Sequence, residues 1–347
     1  MIRKLILSFV IIFTLLMSVS ATSYSAPLAP ESAQVYMPDD AASFGDGLWF
    51  IVRTAISDMM PNLTKACGTC LSIIGIVLLL SVVEGLSDSG KGIVILVAVI
   101  AISTLILQST NSLMSLGIET IRKISDYGKL LIPVITAVTA SQGGVTASAA
   151  LYTGTMFFST LLSGIISGLV VPMIYIYLAL CIADRVVPNQ ALAGMKQFVK
   201  WAATWMIKLV LYVCTGYLSI TGVISGSVDS AALKATKLAI SGAVPVVGGI
   251  LSDASETVLV SAGIMKNTIG IYGIFVFFSI CILPFLQIAV QYLLTKVTAA
   301  VCAVFGNKRI SDMVSDFSGA MGLVLAMTGT VCLLYLISIA CFMKGVG

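Results

Sequence analysis

The chain has 347 residues, 59% of them hydrophobic and only 10% charged, with a formal net charge of +4. A soluble domain carries roughly 25% charged residues, so the composition excludes one and points to a polytopic membrane protein. Histidine is absent, which removes the commonest general base and metal ligand, and the slight basic excess has no block of the kind that binds nucleic acid.

The chain opens on Met1-Ile2-Arg3-Lys4, an apolar stretch from Leu5 to Val19, and the small residues Ser20 and Ala21. That is the anatomy of a secretory signal peptide over residues 1–21, with an uncleaved signal anchor as the alternative. Residues 22–65 read as an exported acidic arm. They carry Glu31, Asp39, Asp40, Asp46 and Asp58 against Arg53 and Lys65, and four prolines, Pro27, Pro30, Pro38 and Pro61. The arm is expected to start as extended, poorly ordered chain, and the apolar spacing from Phe44 to Met60 suits a short surface helix. After a signal peptide it faces away from the cytoplasm.

Residues 66–129 read as a helical hairpin followed by an interfacial segment. The apolar stretches 66–83 and 92–108 each reach the lower length limit for a membrane span, and a polar loop from Glu84 to Lys91 joins them. Glu119, Arg122, Lys123, Asp126 and Lys129 then follow at spacings that suit an interfacial helix.

From Leu130 to Ala183 no residue is charged, a stretch longer than one span. Residues 130–226 are read as a first membrane repeat. It has a short segment broken at Pro133, Gly143 and Gly144, a long span from Tyr152 to Ile182 kinked at Pro172, a polar loop, and a span from Trp201 to Gly226. A connector, 227–241, leads to a second repeat over 242–347. Its broken segment holds Pro245, Gly248 and Gly249, its uncharged span from Thr268 to Leu294 is kinked at Pro284, and Gly319–Met343 is the last span. Pro133 and Pro245 recur at the same offset as Pro172 and Pro284, and Ser167 falls on Ser279. Self-similarity at one offset argues for a duplicated unit, and matched Pro/Gly-broken segments point to a polar site or conduit in the membrane. The glycine pairs could equally serve close helix packing.

The expected fold is therefore all-α and polytopic, with about six full transmembrane helices plus two short Pro/Gly-broken segments and an internal duplication. If the broken segments also cross, the count becomes eight. Lys and Arg are shared so evenly among the loops that the positive-inside rule barely orients the chain.

Chemistry-bearing constellations are few. Without histidine no Ser-His pair exists, and neither a phosphate-binding glycine loop nor a zinc-protease motif is present. Cys67 and Cys70 form a CxxC, but with no second pair near, helix packing is the plainer role; no metal site and no cofactor are expected. Asp253 and Glu256, spaced to share a helical face, are the notable acids. They could form a polar site at membrane depth, or an N-terminal capping arrangement with Ser252 or Asp253 as cap.

Three stretches carry a family resemblance: Gly242 to Gly273, Ser148 to Gly154 with its long span, and Gly306 to Asp312 with the last span. They resemble the stage III sporulation protein AE family, over roughly 45–347. The resemblance implies a non-enzymatic membrane subunit, permease-like or scaffolding, of the channel complex between mother cell and engulfed forespore. It further implies a place in the outer forespore membrane, partners among other stage III sporulation membrane proteins, a secretion-type ATPase and ring-forming proteins, and support of late forespore gene expression. A free-standing secondary transporter of a small solute is the alternative. Such a transporter should place charges at both broken segments, and only the second has them, at Asp253 and Glu256.

Overall fold

A computed structural model describes residues 25–38, 43–86, 91–141, 145–187, 189–243, 248–305 and 308–344; at 84, 91, 147, 218–219, 221–243, 248–266 and 344 the backbone alone is described. The signal peptide at 1–21 lies outside the described residues. Among the described residues the structure is helical with no strand: α1 (Glu31–Gln34), α2 (Phe44–Leu86), α3 (Lys91–Ser141), α4 (Val145–Ile165), a π-helical turn (Ile166–Val170), α5 (Val171–Val186), α6 (Gln190–Ala243), α7 (Gly248–Val304) and α8 (Lys308–Lys344). Helix closes every backbone hydrogen bond within its own segment, which hydrocarbon demands of any lone spanning element. Six stretches are long and apolar enough to cross a membrane: Phe44–Val83, Gly92–Ser141, Ser148–Val186, Gln190–Tyr217, Asn267–Val304 and Lys308–Met343. The helical, multi-pass expectation holds, and the protein is a multi-pass membrane protein.

The antiparallel pair α7–α8 forms the centre, and α8 is the most enclosed of the spans. Small residues of α3 set how close that neighbour comes to it. The flank of α3 at Gly117 lies against Val324 and Thr328, and Gly128 lies under the ring of Tyr335. Around Tyr335 the core is aromatic, with Phe277 stacked on it at 5.1 Å and Tyr127 edge-on to Phe277 at 5.3 Å. Ser125, Ser159 and the Tyr335 hydroxyl cluster there, which satisfies polar atoms that burial would otherwise penalise.

Three expectations need correction. The arm at 22–65 is not a loose tether with its own short surface helix. Its residues 25–38 dock on the bundle through Ala29 N–H donating to the Tyr272 hydroxyl (3.3 Å), Tyr127 donating to the Pro27 carbonyl (3.3 Å) and Tyr36 donating to Asp58 (2.9 Å). Buried Ala29, Ala33 and Tyr36 supply the apolar contact that holds this short segment. From Phe44 the chain runs as one helix to Leu86, and the segment at 109–129 is likewise the middle of α3 rather than a separate interfacial helix. Pro133 does not break the chain, since α3 continues through it to Ser141. Pro284, where a kink rather than a break is expected, lies inside α7.

Both hairpin helices are longer than a bilayer needs. At 1.5 Å per residue the 51 residues of α3 extend about 76 Å, against a hydrocarbon core of about 30 Å. The hairpin is offset along the bundle axis. Ser81 donates to the Phe305 carbonyl (3.0 Å) and Ser103 to the Met313 sulfur (3.3 Å), so the apolar hairpin tip sits level with the polar start of α8. Further along, Gly117, Tyr127 and Leu131 meet Val324, Phe277 and Gly273, so the charged middle of α3 sits level with the uncharged spans of α7 and α8.

Candidate functional site

The residues flagged by sequence do not converge on one place. Pro133 is exposed on α3 near its end, while Gly143, Gly144 and Pro245 lie outside the described residues. Gly248 and Gly249 open α7. Asp253 and Glu256 follow on the same helix; because it starts at Gly248, Ser252 and Asp253 are inside it and not at its cap. The kinks expected at Pro172 and Pro284 differ. Before Pro172 the helix widens into the π turn, with Val171 N–H bonding back to the Ile166 carbonyl. Proline has no N–H to offer the carbonyl four residues back, and a π turn re-pairs the neighbouring groups.

What the fold does assemble is a polar face on α3. Gln108, Ser112, Ser115, Glu119, Arg122, Asp126 and Lys129 are all exposed and recur at alternating steps of four and three, so they share one face. The opposite face, with Met114, Ile121, Ile124, Leu131 and Ile135, is buried in the bundle. From Gln108 to Lys129 the face runs about 32 Å, close to the thickness of a hydrocarbon core.

Two recesses flank this face. The first, with a volume of about 580 Å³, lies between α2, α3 and α7. Asn62, Lys65 and Thr69 line it from α2, Ser112, Ser115 and Glu119 from α3, and Gln287 and Gln291 from α7. The second, of about 380 Å³, lies between α3 and the π turn, where Arg122, Asp126 and Lys129 face Ser163 and Ser167. Within α3, Lys123 pairs with Glu119 at 2.9 Å and Lys129 with Asp126 at 3.0 Å.

A second polar feature is an ion-paired layer where α5, α6 and α8 meet. Lys196 donates to Asp184 (2.9 Å) and Asp316 (2.7 Å), and Arg185 donates to Asp316 (3.0 Å) and, more loosely, to Asp312 (3.5 Å). The Tyr177 hydroxyl donates to the Asp316 carbonyl (3.1 Å), and the Lys200 ammonium lies over the Tyr177 ring at 5.8 Å. Lys196 and Asp184 are each only 10% exposed at their side chains. Burying such charges is tolerable only because each is paired and hydrogen-bonded. Three acids and three bases balance in this layer, which closes it electrically and suits a clamp between three helices rather than a site that must accept a charged guest.

No group of residues able to hold a metal ion is found among the described residues. Sequence reading located the charges of both features but assigned them to loops and an interface. The signal for the polar face was present in the 4–3 spacing from Gln108 to Lys129, and Gln287 and Gln291 were the polar exceptions in an apolar span.

Comparison with known proteins places residues 48–345 in a match to the family described as Stage III sporulation protein AE. The Stage III sporulation protein AE of Bacillus subtilis (strain 168) is 23% identical over 235 residues, covering 68% of this chain and 59% of that relative. The chain thus spans about three-fifths of the length of the curated relative it matches. No solved structure matches the chain.

Proposed function

The chain belongs to the stage III sporulation protein AE family, and from that premise we propose that it is a membrane subunit of the channel complex linking mother cell and forespore. The observation that carries this reading is that the family match runs from residue 48, in the first turns of α2, to the end of α8, so it reaches into all six apolar stretches and takes in both polar features. The subunit is permease-like or scaffolding and does no covalent chemistry. Its ion-paired layer locks helices together, and its polar α3 face is the part open to water.

In this reading the protein sits in the mother-cell-derived outer forespore membrane, with the N-terminal arm entering the bundle from the extracytoplasmic side and residues 25–38 inserted against Tyr127 and Tyr272. The opposite end, which carries Arg185, Lys308 and Arg309, is then cytoplasmic. Its partners are other stage III sporulation membrane proteins, a secretion-type ATPase and ring-forming proteins. A late forespore reporter in a deletion strain tests the role. We expect reporter activity to collapse after engulfment and to return with the full-length gene. Normal reporter activity and normal spores without the protein would contradict the proposal and favour a free-standing transporter.

A further inference from the structure

The polar face of α3 poses a problem that hydrocarbon cannot solve. It carries Glu119, Arg122, Asp126 and Lys129 at the depth of Phe277, Val324 and Tyr335, within spans that hold no charge. Charged side chains at membrane depth are expensive to expose to hydrocarbon, so this face meets water or protein, not lipid. Its neighbours are concave. A recess of about 580 Å³ falls within the range of small-molecule sites, and the second recess lies further along α3 on the other flank of the face.

We propose that the polar face of α3 and its two recesses form a hydrated track across the bilayer that takes small anionic solutes. The proposal rests on the membrane-subunit reading only in requiring the chain to lie in a bilayer. Anion preference follows from the charges. Glu119 and Asp126 are each held by a lysine of α3 itself, at 2.9 and 3.0 Å, so Lys65 in the first recess and Arg122 in the second set the net sign. Amide and hydroxyl groups from Asn62, Gln287, Ser163 and Ser167 complete the walls, and these can replace water around a carboxylate or phosphate oxygen. The π turn contributes by setting Ser163 and Ser167 in the second recess, and π turns inside helices are frequent at functional sites.

Water access and sign can be read together with charged thiol reagents. Ser115→Cys and Gln108→Cys report the first recess and Ser167→Cys the second. Phe157→Cys is the lipid-facing control; Phe157 is 59% exposed and neighbours the buried Phe158–Ser159 contacts at the same depth. Full-length protein in liposomes is treated with an anionic or a cationic methanethiosulfonate, and modification is followed peptide by peptide by mass spectrometry, so the eight native cysteines stay in place. The track cysteines should react at least tenfold faster than the control. The anionic-to-cationic rate ratio at Ser167→Cys should exceed that of a free thiol by about threefold or more, the effect of one nearby unit charge on reagents of opposite sign, and Arg122→Glu should invert it. Rates no faster than the control would show the face to be dry. Protection with ready disulfide formation between copies would make it an interface between copies, and an unchanged ratio would remove the preference for anions; each would overturn the proposal. Because purified protein suffices, these outcomes are independent of whether the channel partners bind.

Discussion

Replacing Asp316 by Asn tests whether the ion-paired layer clamps α5, α6 and α8. Asp316 accepts from Lys196 at 2.7 Å and from Arg185 at 3.0 Å, with its own side chain 20% exposed. The amide keeps the shape and removes the charge, leaving two cations to share Asp184 and the more distant Asp312. Breaking a buried pair costs about 3–5 kcal/mol. Because Lys196 retains Asp184 and Asp316 is not fully enclosed, the lower end applies, about 3 kcal/mol, or roughly a hundredfold in the unfolding equilibrium. Asp312→Asn is the internal control: its pair is 3.5 Å long with Asp312 44% exposed, so it should cost less than about 1 kcal/mol. Adding Arg185→Met to Asp316→Asn should recover much of the loss, since Lys196 keeps Asp184 while the cation left with only its longer contacts is gone. Unfolding by sodium dodecyl sulfate in mixed micelles measures all four proteins. Asp316→Asn within about 0.5 kcal/mol of wild type, or Asp312→Asn costing as much as Asp316→Asn, would refute the clamp.

Gly128→Ala should destabilise by about 1–3 kcal/mol in the same unfolding assay. The added methyl overlaps the Tyr335 ring, which the stacked Phe277 holds in place, whereas Gly75→Ala has open space and should be neutral or slightly stabilising. Burial, and then the hydrogen bond to Asp58, push the Tyr36 hydroxyl up to about 12. A raised pKa means its contribution is intact below the ordinary tyrosine range near pH 10 and is lost as pH climbs through the folded value. Protection of residues 25–38 from protease should therefore fall between pH 10 and about 12, and Tyr36→Phe should remove that step. Pro172→Ala restores a backbone donor and should let the π turn relax to α-helix, turning Ser167 by about 100°. Labelling of Ser167→Cys should then drop, and unchanged labelling would show that the turn does not depend on Pro172.

The helical, membrane-embedded character was legible because apolar runs without charge need no tertiary information. Chain breaks were harder. Pro133 sits inside a continuous helix because a long helix packed along its length supports a missing hydrogen bond that an isolated segment would not. The arm was read as loose because its prolines and acids look like linker; what holds it is a few contacts with residues far along the chain, Tyr272 above all. Glu119 to Lys129 were read as interfacial because charge alone suggests the membrane edge. Only the offset of the hairpin, fixed by contacts such as Ser103 to Met313, puts them level with uncharged spans. Lys196 and Asp184 were legible as charges but not as partners, since pairing across a helix turn-around depends on how α5 and α6 pack.

The central claim is that this chain works as a subunit of an assembly, and a gentle detergent pull-down of the tagged protein from sporulating cells tests it most directly. The account predicts recovery together with a secretion-type ATPase and ring-forming membrane proteins, retained when the α3 face carries Arg122→Glu and weakened when Asp316→Asn loosens the bundle. Recovery of the protein alone, from cells whose other sporulation membrane proteins are present and extracted, would contradict it.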